Sequence, residues 1–374
     1  MNNKVLKLIF LVIITNCVLA NFIAVNGVQY TYSFSEVGVI EPGINVINMQ
    51  CIDNELVFVL DIAGRLVVLN VTNPASIIEL DSISLSYVHD IELDLERNLV
   101  YTTALNGVNI FNYTDSTNLQ LQSVYHNYTT STSMELQNEL LFIGAEDYGL
   151  QIVNVTDPTN PFLIGNWSDP VGNIGPVYLK DDFAFVGTRT PNVSGPPTYL
   201  DLKVLNISDP KNITYVSTVD TGGSYNGGAP RAHSNDIVFF NDHAFGLKLL
   251  NFSNPSDVSV IGLFSDGGFY NDVEIVENNQ AFIADDYFGL KTIDCSDIDN
   301  LQLMGSFEID WRTLRVIVAD NRVYLATLSG GIRILSFEKV SVKVSLHPSW
   351  LICSVLFIQI IGKFTKSRKK QNSN

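Results

Sequence analysis

The chain has 374 residues, 46% of them apolar and 16% charged, which supplies a large core and excludes a disordered chain. It carries 22 basic against 39 acidic residues, and seven of the bases (Lys4, Lys7, Lys363, Lys366, Arg368, Lys369 and Lys370) lie in terminal segments that hold no acid. A surface so negative between the two ends repels phosphate backbones and argues against a nucleic-acid partner.

In chain order, residues 1–20 read as a signal peptide. Lys4 and Lys7 form a positive start, Leu8 to Ala20 is an almost unbroken apolar stretch, and Val18-Leu-Ala20 offers small residues for cleavage. An uncleaved anchor is the alternative. At the other end, residues 344–362 predict a transmembrane helix, with Trp350 at its interface and a basic tail at 363–374. That polarity predicts a type I single-pass protein whose bulk, residues 30–340, stands on the extracellular face of the membrane. Cys17 and Cys353 fall in the two terminal segments, so Cys51 and Cys295 alone belong to the ectodomain. They sit in different repeats and read as small buried residues, with a disulfide as the lesser alternative.

Between the ends, one unit recurs. Gly149-Leu-Gln-Ile-Val-Asn-Val-Thr-Asp-Pro158 has relatives starting at Gly64, Gly107, Asp201, Gly246, Gly289 and Gly331. The steps are 43, 42, 52, 45, 43 and 42 residues, the period of propeller blades of about four strands each. Short apolar runs such as Leu140 to Gly144 and Leu150 to Val155, punctuated by Gly, Pro, Asp and Asn, predict antiparallel hairpins. The seventh unit lacks its last strand, and Tyr32 to Val39 supplies a candidate. The expectation is an all-β propeller of about seven four-stranded blades, closed by the N-terminal strand, plus the C-terminal helix.

The strand motif, clearest at Leu150-Gln-Ile-Val-Asn-Val-Thr-Asp-Pro158, resembles that of the LVIVD-repeat family, over about Tyr30 to Phe337. The resemblance implies a β-propeller at a cell surface. It supplies no catalytic residues. Asp201 in place of glycine and the missing proline in the second and sixth copies depart from the pattern at turns.

The search for chemistry yields positions rather than motifs. Aligning on the repeat glycine places Asp90 and Glu92 in register with Asp272 and Glu274, two acid pairs at a channel mouth that could hold a cation or a sugar. In that register Ile47 and Leu314 occupy the equivalent places, so the acids form no complete ring. The turns at Glu146-Asp147 and Asp285-Asp286 match no calcium loop. No cofactor is expected, with Ca2+ the one ion the acids would admit. The histidines form no metal-ligand pair, and neither a nucleophile elbow nor a phosphate loop occurs. Two long loops, Thr188 to Tyr199 and Gly222 to Arg231, break the period. Arg189, Tyr199, Tyr225 and Arg231 are their candidate ligand contacts.

Of nine Asn-x-Ser/Thr sequons, five begin at one repeated turn position (Asn70, Asn112, Asn154, Asn206, Asn251), where the asparagine also serves turn formation. Asn127, Asn166, Asn192 and Asn212 are the glycosylation candidates less bound to the repeat. Two functions stand side by side. One is a surface, membrane-anchored module that binds a protein or glycan in adhesion. The other is an extracellular hydrolase or cation-dependent ectoenzyme using the channel acids.

Overall fold

The computed structural model describes residues 29–40, 45–105, 107–126, 131–170, 173–189, 199–221, 229–242, 245–276 and 279–342. The predicted signal peptide, transmembrane helix and basic tail therefore lie outside the described residues, as do Asn127, Asn192 and Tyr225. No helix among the described residues is long and apolar enough to cross a membrane.

Residues 32–338 form one compact unit. Of the second unit, the described part is Gln29–Thr31 and the stretch from Lys339 to Val342, where the Lys339 ammonium lies 4.8 Å over the Tyr30 ring.

The described strands form seven four-stranded antiparallel sheets. In six of them the chain meanders outward from an inner to an outer strand. Blade 1, for instance, runs Val46–Ile52, Leu56–Asp61, Arg65–Asn70 and Ile78–Ser84. The other inner strands are Ile91–Asp94, Ser133–Gln137, Asn173–Lys180, Ala229–Ser234, Tyr270–Val276 and Thr313–Ala319, for blades 2 to 7. Blade 7 takes its outer strand from Gln29–Ile40 at the start of the chain, as the sequence implies. This joins the two ends of the repeat in one sheet and leaves no open blade edge at the join.

The second and third strands carry continuous apolar runs because both their faces are covered. Leu56–Asp61 and Gln280–Asp285 are buried along almost their whole length. Seven buried clusters each join two neighbouring blades. One packs Val57, Val59 and Val67 of blade 1 against Tyr324, Ile332 and Ile334 of blade 7. Each fully buried aliphatic side chain contributes roughly 1.5–3 kcal/mol, so the interfaces between blades hold the ring together. Polar contacts fix their registry. Arg322 of blade 7 donates to the Val71 and Thr72 carbonyls of blade 1 at 3.1 and 3.4 Å, and Arg97 of blade 2 does the same to Val155 and Thr156 of blade 3 at 2.7 and 3.3 Å.

A meander of this kind sends its turns to two faces. Turns between inner and second strands, and between third and outer strands, reach one face. They are built from local side-chain chemistry. Every blade places an Asn or Asp at positive φ in its first hairpin: Asp53, Asn98, Asn138, Asp181, Asn235, Asn279 and Asp320. Six blades end the third strand with an Asx whose Oδ1 accepts the amide two residues on, as Asn154 does from Thr156 at 3.1 Å. The turns between second and third strands and the links between blades emerge on the opposite face. There the repeat glycines, Gly289 at φ 82° among them, turn the chain.

Candidate functional site

The inner strands of all seven blades line a central cavity of about 150 Å3. Asp90, Glu92, Asp272 and Glu274 all line it, together with Glu135, Arg231 and Arg315. The glycine register misplaces two blades. Strand pairing aligns Asn48 and Arg315, rather than Ile47 and Leu314, with Asp272: Asn48 pairs with Leu60, Arg315 with Ala326 and Asp272 with Ala284. In blade 1 the repeat glycine sits one residue early in its turn, and in blade 7 the first hairpin is one residue shorter. Arg231, expected on a loop, lies in the inner strand of blade 5 at an irregularity between Pro230 and Ala232.

The residues near the starts of the inner strands lace neighbouring blades. Asp90 accepts hydrogen bonds from Asn48 Nδ2 of blade 1 at 2.6 Å, from its neighbour Ile91 N at 3.1 Å and from Met134 N of blade 3 at 2.7 Å. Asp272 accepts from Val316 N of blade 7 at 3.2 Å and lies 3.6 Å from Arg315 and 3.8 Å from Arg231. Deeper in the channel stand Glu92, Glu135 and Glu274. Burial is the largest cause raising all three carboxyls, with like charge next: Glu135 and Asp90 beside Glu92, Asp90 beside Glu135, and Asp272 beside Glu274. Glu135 is pushed up to about 8 and Glu274 to about 7, so both hold protons for much of the neutral range. Hard-cation sites need six or more oxygens. Among the described residues no group of three or more His, Cys, Asp and Glu side chains is arranged to hold a metal ion. In the channel two guanidinium groups already oppose the acids.

The face of the glycine turns carries a different chemistry. Its turns and links expose Tyr87, Tyr148, Phe245, Phe269, Tyr287, Phe288 and Trp311. From blade 5 to blade 7 these rings form a supported group. Phe269 meets Tyr287 edge to face at 5.9 Å, and the Arg312 guanidinium lies 5.8 Å over Tyr287 while its Nε bonds Asp286 at 2.9 Å. Beneath Phe288, at 5.0 Å, the Lys291 ammonium is held by Asp285 and Asp266 at 2.6 and 2.7 Å. Arg189 and Tyr199 are register partners at the ends of the second and third strands of blade 4, so the 190–198 insertion leaves from this same face. The link that contains Tyr225 also begins and ends there, between the outer strand of blade 4 and the inner strand of blade 5. Asn166 and Asn212 belong to the outer strand of blade 3 and to the turn before the outer strand of blade 4. Cys51 and Cys295 are both free.

Sequence reasoning passed over Glu135, Arg315 and the aromatic links. Glu135 stands alone in Ser133-Met-Glu135, without the Asp-x-Glu pair that marked blades 2 and 6, and only the two-residue alternation of an inner strand pointed to it.

A channel lined by seven inner strands defines the class as a β-propeller. The solved structures agree at the level of fold. The computationally designed Ika8 protein matches with a TM-score of 0.59 and 12% identity, covering 80% of this chain and 99% of that one. The Myceliophteria thermophila Cps50 (Swd1) β-propeller domain gives 0.63 and 10%, covering 81% and 99%. The WD40 β-propeller domain of Doa1 gives 0.63 and 10%, covering 82% and 97%. The sequence pattern of the LVIVD repeat matches at residues 132–169 and 267–309, in blades 3 and 6. The chain is thus a seven-bladed β-propeller that carries LVIVD repeats in blades 3 and 6. No match emerges among curated proteins compared by sequence.

Proposed function

We propose that this propeller is a non-catalytic binding module, displayed on the cell surface by the segment at 344–362, whose protein or glycan partner docks on the glycine-turn face. The observation that carries the reading is the run of exposed rings on successive blades, Phe245, Phe269, Tyr287, Phe288 and Trp311. Exposed aromatic side chains lose little entropy when covered and supply large contact areas, which is why binding surfaces are rich in them. The two long loops leave from the same face. Affinity capture from surface extracts with the full-length chain tests the reading. A partner retained by the wild type and lost by Tyr287→Ser/Trp311→Ser supports it, and equal retention by both contradicts it.

The raised glutamates in the channel favour a second reading, a hydrolase in which a protonated Glu135 or Glu274 serves as general acid. Turnover of a polysaccharide or peptide library that disappears in Glu135→Gln and Glu274→Gln would support it. Absence of turnover in the wild type removes it.

A further inference from the structure

Where blades 6 and 7 meet, a cleft of about 210 Å3 opens beside the aromatic group, lined by Glu36, Phe307, Glu308, Asp310, Trp311 and Arg333. Water occupies about 30 Å3 per molecule, so the space holds a handful of waters or one long side chain. Arg333 is engaged by Glu36 at 3.3 Å. Glu308 and Asp310 are exposed, and neither carboxylate has a hydrogen-bond or ion-pair partner among the described residues. The cleft therefore presents two uncompensated negative charges beside an indole.

The indole is held in place. A Cβ added to Gly330 would fall 2.5 Å from Trp311 Cδ1 and 2.6 Å from Cγ, so the ring lies directly on the glycine of the blade 7 turn. The Leu328 amide of that turn donates to the Arg312 carbonyl at 2.8 Å, pinning the link that carries Trp311. With one side packed on Gly330, Trp311 still leaves 41% of its surface exposed. A fixed indole flanked by carboxylates is a receptor for a flat cation, which gains from the ring's negative face and from the charges together.

We propose that this cleft takes an arginine side chain of a protein partner, its guanidinium stacked on Trp311 and paired with Glu308 and Asp310. The assignment rests on the binding-module reading and names the partner chemistry of that surface. Arginine fits better than lysine because a planar guanidinium stacks on an indole and can bond two carboxylates at once.

The test uses the full-length chain carrying Trp167→Phe and Trp350→Phe, which leaves Trp311 as the only tryptophan. The probe is the blocked tripeptide Gly-Arg-Gly, with Gly-Lys-Gly, Gly-Gln-Gly and maltotriose alongside. The expected result is a saturable change in Trp311 emission with the arginine peptide, about tenfold weaker with the glutamine peptide and the sugar. Raising salt from about 20 to about 500 mM should weaken it further. Glu308→Gln/Asp310→Asn, conservative changes at exposed positions, should weaken binding by about tenfold without altering the melting temperature. Gly330→Ala should also weaken binding, by pushing the indole aside. No response, an equal response to glutamine or maltotriose, a stronger response to lysine than to arginine, or binding undiminished in either variant overturns the assignment. A macromolecular partner captured equally by wild type and Glu308→Gln/Asp310→Asn, but lost with Tyr287→Ser, would remove the cleft and leave the aromatic face.

Discussion

The two faces of this propeller are built on opposite principles. On one, every blade repeats the same device: an Asx at positive φ in the first hairpin and, in six blades, an Asx closing the third strand on its own backbone. On the other, glycine makes the turn and the exposed residues differ from blade to blade, from Ile62 to Leu105, Tyr148, Phe245 and Tyr287. A face whose residues are committed to holding turns has little freedom to recognise anything. Where glycine does the turning, the neighbouring positions are released for contact.

That contrast can be broken or sharpened by substitution. The largest effect is expected where a blade leans on the turn of the next. A Cβ at Gly165 would lie 1.7 Å from the Pro210 carbonyl oxygen, a backbone atom that cannot yield cheaply. Gly165→Ala should cost about 3 kcal/mol, read as a lower denaturation midpoint at unchanged m-value. Wild-type stability would contradict the packing described between blades 3 and 4. Next, Asn154→Ala removes one turn-closing bond on the Asx face and should cost about 1 kcal/mol by the same measurement. Smallest is Tyr287→Ser on the aromatic face, an exposed site whose replacement should change stability by under about 0.5 kcal/mol while abolishing capture. If instead Asn154→Ala abolishes capture, the assignment of roles to the faces is reversed.

The channel adds a pH prediction. Glu135 and Glu274 keep protons in the folded chain at pH values where the unfolded chain has released them. Their protonation favours the folded state, so this stabilisation is complete below the ordinary glutamate range. It is lost as pH rises through about 7 and about 8. The melting temperature should therefore fall between pH 5 and 8.5. Glu135→Gln/Glu274→Gln should flatten that slope and melt higher than wild type at the alkaline end. A wild-type slope of opposite sign would show that the channel is wetter than its burial indicates.

How far the sequence could be read follows the same division. Local hydrogen bonding dictates residue types, so the Asx turns and the glycines announce the repeat and its period, while the last strand missing from the seventh unit points to the exchange that closes blade 7. The two acid pairs were visible because they recur as Asp-x-Glu at Asp90 and Asp272. The rest of the channel is set by registration between strands. Glycine spacing could not report that a hairpin in blade 7 is one residue shorter, or that Arg231 sits at an irregularity of its strand. Trp311 was legible only as one residue of an Asp-Trp-Arg link. What makes it a candidate receptor is Gly330, a glycine whose φ lies outside the left-handed range and whose value is the space it leaves. Such a contact joins the link entering blade 7 to that blade's own turn, about twenty residues on, and has no local signature. The outer strands also expose apolar side chains, among them Ile78, Leu121, Phe162, Leu263 and Leu303, spread around the rim.

Hydrogen exchange on the full-length chain, alone and with its captured partner, tests the division of roles most directly. The expected result is protection at the turns and links of blades 5 to 7 that carry Phe245, Phe269, Tyr287 and Trp311, and unchanged exchange at the Asx turns. Protection confined to the Asx turns or to the outer strands would contradict it.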